Sequence, residues 1–341
     1  MTDSRTLIVS HADVERLLAM PACIDLMGET LAATARGDAL LPLRQVLRLR
    51  DGHGAFAVMP AILGGADGPT QIGAKIITVF HGNAATPYES HIGVVLYFDD
   101  VHGRLLAIID ASSVTAIRTA AVSGLATRLL ANPDASDLAI LGAGVQARTH
   151  LEAMLAVRPI TRVRLWSRGT DRSAAFARWA QTRFGVAVEL CESPERAVTG
   201  AQLICTVSGS SEPIVRGEWL ATGVHINAVG ASVPTARELD TAAVKMCRLF
   251  VDRRESAVNE AGDFLIPQRE GAIDETHILG ELGAVVLGDV AGRTSADDRT
   301  LFKSLGLAVE DVASARLIYE RARAEQTGTW IEIGGLRPAE E

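Results

Sequence analysis

Residues 137–147 read Asp-Leu-Ala-Ile-Leu-Gly-Ala-Gly-Val-Gln-Ala, DLAILGAGVQA. An apolar strand-like run, 137–141, enters Gly142-Ala143-Gly144-Val145-Gln146-Ala147, a GxGxxA turn before a helical pattern. Each part has a physical reason. Gly142 permits the tight turn, Gly144 carries no side chain to block a pyrophosphate, and Ala147 lets the helix pack against the sheet. The helix N-terminus then offers free N–H groups and a partial positive charge to phosphates. Gly142, Gly144, Val145 and Gln146 are therefore candidate dinucleotide contacts.

Downstream, strand-like and helix-like segments alternate: VRLWS, VAVEL, LICTVS, HINAVG and RLFVD with helical stretches between. That rhythm predicts a parallel sheet with helices on both faces, a doubly wound Rossmann α/β fold. Ligands of such sheets lie at the carboxyl ends of the strands, which points to Thr206, Val207 and Val229 as further contacts. The second strand ends in Ser167-Arg168-Gly169-Thr170, with no acid to bind ribose hydroxyls. Arg168 can pair with a 2′-phosphate and Ser167 can donate to it, so NADP(H) is favoured and NAD(H) possible. Thr300–Gln326 reads as one long helix after a loop, and Trp330–Ile333 as a final strand.

Upstream the pattern differs. Residues 11–37 read as helices, then short strands follow at 45–50, 55–59, 73–80, 93–99 and 105–110, and a helix from 113 to 130. Basic residues stand alone in apolar settings: Arg44 in LPLRQV, Lys75 in IGAKIITVF, Arg118 in VTAIRTAAVSG. A buried cation needs an anion, from the protein or from a ligand.

With 341 residues, about two domains are expected. A net charge of −8 without basic blocks argues against nucleic acid. No apolar stretch approaches a membrane span and no secretory signal is visible. Cys23, Cys191, Cys205 and Cys247 form no CxxC pair and read as reduced core thiols of a cytoplasmic protein. The histidines show no metal-ligand spacing.

Taken together, PLR (42–44), VMP (58–60), GAKIITVF (73–80), SHIGVVLYFD (90–99), TAIRTAAVSGLAT (115–127) and LGAGVQARTH (141–150) resemble the ornithine cyclodeaminase/mu-crystallin family. The likeness continues through NAVGASVPTARELD (227–240), GDFLIP (262–267), HILGELG (277–283) and the segment 292–311, which opens on GRTS and ends on FKSLGLAVED. It implies a homodimer whose substrate and dimerisation domain, 1–128, is completed by 308–341, with the Rossmann nucleotide domain, 129–307, inserted between. It implies that Arg44, Lys75 and Arg118 surround a substrate α-carboxylate, which would be the anion these cations need. Ser90, Arg118, Ser304 and Leu305 would lie near cofactor or substrate. Family cyclodeaminases carry acids where this chain has Ala57 and Ser232, and neither residue can act as a carboxylate base. The resemblance therefore implies the reductase branch: hydride transfer from NAD(P)H to the C=N carbon of an α-imino acid, giving an L-amino acid. Lys75, or a water beside it, is the candidate proton source, unless it only binds the carboxylate. Ser232 would orient water or the substrate nitrogen, and His81 is a second candidate donor. The alternatives are a cyclodeaminase lyase that recycles NAD and a non-catalytic NADPH- or ligand-binding protein.

Overall fold

In the computed structural model, the structure describes residues 5–64, 69–80, 82–83 and 86–336. The chain forms two compact units, Met1–Arg118 with Leu307–Glu341, and Thr119–Gly306. The first boundary falls inside one long helix.

The first unit runs β1 (Arg5–Val9), α1 (His11–Leu17), α2 (Met20–Ala35), β2 (Ala39–Leu40), β3 (Gln45–Arg48), β4 (Ala55–Leu63), β5 (Gln71–Val79), β6 (His91–Phe98), β7 (Leu105–Asp110) and α3 (Ala111–Leu130). Ser10 and Asp13 close a capping box on α1, and Pro21 sits at the start of α2, where its missing N–H costs nothing. Strands β4 to β7 form an antiparallel meander. Alternate residues of β4 and β5 turn inward: Ala57, Met59 and Ala61 on one, Gly73, Lys75 and Ile77 on the other. Lys75 thus occupies a core position in a strand of otherwise apolar inward residues.

The second unit runs β8 (Asp137–Leu141), α4 (Val145–Val157), β9 (Arg162–Trp166), α5 (Thr170–Phe184), β10 (Val188–Leu190), α6 (Pro194–Val198), β11 (Leu203–Thr206), β12 (His225–Ala228), α7 (Thr241–Met246), β13 (Arg248–Val251), α8 (Arg254–Glu260), α9 (Gly262–Arg269), β14 (Ile278–Glu281), α10 (Leu282–Leu287) and β15 (Thr300–Lys303). Its sheet is parallel throughout, in the order β10-β9-β8-β11-β12-β15-β13-β14. The first five places follow the Rossmann winding. The sixth does not: β15, last in sequence, slots between β12 and β13.

That insertion corrects the sequence reading. Thr300–Lys303 is a strand and not the start of a helix; the helix begins at residue 308. All four strand residues are buried, and a four-residue strand is too short to show a period of its own against the helical pattern that follows. The chain then returns to the first unit as α11 (Ala308–Ala324) and β16 (Thr329–Glu332), the latter pairing with β1. Helix α11 packs on α2 and across β4, β5 and β6. Gly73 allows that approach, because a Cβ there would meet Leu96 O at 2.6 Å and Val312 Cγ2 at 2.9 Å.

Among the described residues no single helix is long and apolar enough to cross a membrane. Cys23, Cys205 and Cys247 are buried, and burial pushes each thiol up to about 12. Cys191 departs from the core reading: it is only half-buried, just beyond β10.

Candidate active site

Within the first unit, β5, α3 and α11 bring opposite charges together out of water. Lys75 is 2% exposed and Arg118 4%. Lys75 Nζ lies 2.8 Å from Asp311 Oδ2 and donates to Thr115 Oγ1 at 3.4 Å. Arg118 donates from Nε to Asp311 Oδ1 at 3.0 Å and from Nη1 to Glu310 Oε2 at 2.9 Å. Both acids are fully buried in the first turn of α11, where the helix dipole favours negative charge. Arg44, half-buried just before β3, is near enough for its charge to act on Lys75.

Burial first, then the Arg118 charge, pull Lys75 down to about 8, against the opposing attraction of Asp311. The Lys75 ammonium therefore gives up its proton far more readily than a surface lysine. This region also corrects the sequence argument. Lys75 and Arg118 already have protein anions, Glu310 and Asp311, so a substrate carboxylate is not required to keep them buried. Sequence reasoning passed over these acids: with 300–326 read as one helix they stood inside it, and nothing local marks a Glu-Asp pair as buried.

Ala57 faces inward on β4, on the same side as Lys75 and diagonal to it, since Met59 pairs with Lys75 and Ala57 with Ile77. Ser90, half-buried ahead of β6, pairs its Oγ with His91 Nδ1 at 2.9 Å. His81 lies outside the described residues.

Within the second unit, the parallel topology brings the other candidates to one edge, the carboxyl ends of the strands. Gly142 follows β8 with φ 126°, and a Cβ there would meet Val207 O at 2.6 Å. Gly144 caps α4 without a side-chain bond, and the space where its side chain would stand is open. Val145 is exposed and Gln146 half-buried, while Ala147 is fully buried against the sheet. A turn that only glycine can make, an open approach and an uncapped helix start fit a dinucleotide pyrophosphate. Ser167 Oγ turns back into its loop, donating to Gly169 O at 3.1 Å and sharing a bond with Ser173 Oγ. Arg168 is exposed beside it.

Three buried acids organise the remaining loops of this edge. Glu238 accepts from Ser208 N at 2.8 Å and Ser208 Oγ at 2.6 Å with one oxygen, and from Gly230 N at 2.8 Å with the other. It thereby ties the loop after β11, which holds Val207, to the loop after β12, which holds Val229 and leads to half-buried Ser232. Burial pushes the Glu238 carboxyl up, and the bond from Ser208 pulls against it. Asp263 accepts from the Glu238 and Leu239 amides and pairs with Lys303 Nζ at 2.9 Å. Asp252 accepts from the Leu305 and Gly306 amides at 2.5 and 2.7 Å. That fixes the turn after β15, where Ser304 donates its N–H to Ala228 O. None of the three was singled out from sequence; an acid inside RELD, FVD or GDF is the signal that could have found them.

The model of the ornithine cyclodeaminase/mu-crystallin family matches residues 4–326. The chain is 42% identical to ketimine reductase mu-crystallin of Mus musculus over 284 residues, covering 83% of this chain and 86% of that protein. It is 35% identical to Delta(1)-pyrroline-2-carboxylate reductase of Bacillus cereus, covering 96% of this chain and all of the relative. Among solved structures, Delta(1)-pyrroline-2-carboxylate reductase of Thermococcus litoralis, in complex with NADH and L-proline, superposes with a TM-score of 0.92 at 35% identity. That match covers 95% of this chain and 99% of the other.

Proposed function

The chain belongs to the ornithine cyclodeaminase/mu-crystallin family, and on that premise we propose that it reduces an α-imino acid to an L-amino acid at the expense of NAD(P)H. The observation that carries this reading is the group of buried Lys75 and Arg118 with half-buried Arg44, with Ala57 and Ser232 in place of carboxylate bases. When bound, the nicotinamide supplies the hydride. The residues of the chain supply the rest. Arg44 and Arg118 hold the substrate carboxylate and so aim the C=N carbon, a positioning effect of the kind that contributes several kcal/mol to a barrier. Lys75, drawn down to about 8, releases a proton to the imine nitrogen, directly or through water, since a protonated C=N is the better hydride acceptor. Ser232 orients that water or nitrogen. Gly142, Gly144, Val145 and Gln146 would hold the pyrophosphate, with Thr206, Val207, Val229, Ser304 and Leu305 along the same edge. Exposed Arg168 supports acceptance of a 2′-phosphate, and hence NADPH beside NADH.

A homodimer suits the outer face of the first sheet. Phe56, Val58, Pro60 and Ile62 of β4 point outward beside Ile72 and Ile76 of β5, an apolar surface of the kind that marks protein contacts. Light scattering should return twice the 36.1 kDa chain mass; a monomer would remove this part. A cytoplasmic, reducing location suits the four free cysteines.

The functional test is NADH and NADPH oxidation with pyrroline-2-carboxylate, piperideine-2-carboxylate, pyruvate plus ammonia, and iminosuccinate. At least one should be reduced with one dinucleotide consumed per amino acid formed. Ammonia release from ornithine without net dinucleotide turnover would replace this reading with a lyase.

A further inference from the structure

We infer that Glu238 is a positioning residue for the nicotinamide half of the dinucleotide, because its buried carboxylate sets the peptide between Val207 and Ser208 and ties it to the Gly230 amide. This rests on the proposed dinucleotide site and deepens it by naming what holds one half of that site in shape. The N–H of the 207–208 peptide donates to Glu238 Oε1 at 2.8 Å. The carbonyl of the same peptide, Val207 O, lies 2.6 Å from where a Cβ on Gly142 would stand. One peptide plane is therefore held by the acid on one side and packed against the first glycine of the GxGxxA turn on the other. Ser208 Oγ donates to the same carboxylate oxygen at 2.6 Å and accepts from Ser210 N at 3.1 Å, so the loop after β11 folds around the acid. The second oxygen accepts from Gly230 N at 2.8 Å, in the loop after β12. Only glycine fits there: a Cβ would come within 2.2 Å of Ser208 O and 2.5 Å of Glu238 Oε2. The acid is itself fixed, since its amide donates to Asp263 Oδ1 at 2.8 Å and Asp263 Oδ2 meets Lys303 Nζ at 2.9 Å.

The strand order says which half of the ligand is concerned. In β9-β8-β11-β12 the winding reverses between β8 and β11, and a dinucleotide lies across that point. Its adenosine ribose belongs at the end of β9, beside Ser167 and Arg168. The other half then lies over the ends of β11 and β12, whose loops Glu238 joins. Glu238 is fully buried, and all its partners here are donors, which suits a carboxylate and no other side chain of that length. A glutamine has one oxygen and one NH2. Whichever way it turns, the NH2 faces the Ser208 or the Gly230 N–H, donor against donor, and one tie is lost. A loop released in this way must be ordered by the ligand, which lowers affinity for the part of the ligand that touches it.

The experiment compares wild type, Glu238→Gln and Ser208→Ala as full-length chains. Two probes are used: the reduced dinucleotide that wild type binds more tightly, NADH or NADPH, followed by its fluorescence, and AMP, which carries the adenosine half alone, followed by ligand-observed NMR. The quantity read is the ratio of dinucleotide affinity to AMP affinity. A general loosening of the domain weakens both probes and leaves the ratio unmoved. The expected result for Glu238→Gln is a ratio at least about tenfold lower, with AMP affinity kept within about twofold. Ser208→Ala, which keeps both backbone ties and loses only the hydroxyl, lowers the ratio by about threefold. An unchanged ratio in a folded Glu238→Gln overturns the inference. If Glu238→Gln fails to fold, Ser208→Ala decides: an unchanged ratio there overturns it. The readout is binding alone, so it stands apart from the proposed reduction. A lowered ratio in a protein that reduces no imine upholds the role of Glu238 and sinks the reduction. A wild type that binds neither dinucleotide overturns both.

Discussion

Each unit buries one lysine against one aspartate, Lys75 with Asp311 at 2.8 Å and Lys303 with Asp263 at 2.9 Å, yet their surroundings are opposite. Around Lys75 two arginines, Arg118 and Arg44, act on the ammonium beside Asp311. Around Lys303 the acids prevail, since Glu238 is close enough to feel both Asp263 and Lys303. The acids of the second group spend their spare oxygens on the backbone amides of Ser208, Gly230, Glu238 and Leu239. The same ion pair therefore serves two ends. In the second group the acids hold loops still; in the first, two acids hold the two buried cations of the proposed substrate group.

Breaking the two pairs should show that difference. Lys303→Met leaves Asp263 and Glu238 buried without their cation, and stripping one partner from a buried pair costs about 3–5 kcal/mol. Urea unfolding should register that loss. Lys75→Met leaves Asp311 with Arg118, so its unfolding midpoint should move much less, while imine reduction drops by about 10²-fold or more with dinucleotide affinity kept. Equal destabilisation by the two substitutions, with reduction intact in Lys75→Met, would erase the contrast.

A smaller effect comes from pH. His150 bonds Ser123 and the Gln146 carbonyl, and His225 bonds Thr300 and Asn227, all in the second unit. Burial lowers His150 to about 4 and His225 to about 3. Their folded values lie below the unfolded value near 6.5, so the unfolded chain binds more protons in acid. The stability they permit is whole above about 6.5 and falls as pH drops toward 4 and then 3, by on the order of a few kcal/mol. Lys75, also lowered, acts in another window: its stabilising share is lost as pH falls from about 10.5 to about 8. Denaturant midpoints measured from pH 4 to 10 should rise through both windows. A flat response between 4 and 6.5 would mean the histidines are not held neutral.

The nucleotide fold was legible because one local rule, strand then GxGxxA then helix, is complete in eleven residues. The cations were legible for a related reason: a lone Lys75 or Arg118 in an apolar run stands out against its neighbours. Their partners were not, because Glu310 and Asp311 become buried only through the packing of α11 on β5, more than two hundred residues away in sequence. The place of β15 was lost in the same way. Nothing in Thr300–Lys303 announces that the strand enters the sheet between β12 and β13, since that is decided by hydrogen bonds to distant strands.

The cations of the first unit are proposed to hold an organic acid for reduction. The most direct test is calorimetric titration of L-proline into dinucleotide-loaded wild type and Arg118→Ala. Wild type should bind the amino acid, the variant should lose at least about tenfold in affinity, and dinucleotide affinity should be equal in both. Undiminished amino-acid binding by Arg118→Ala would contradict it.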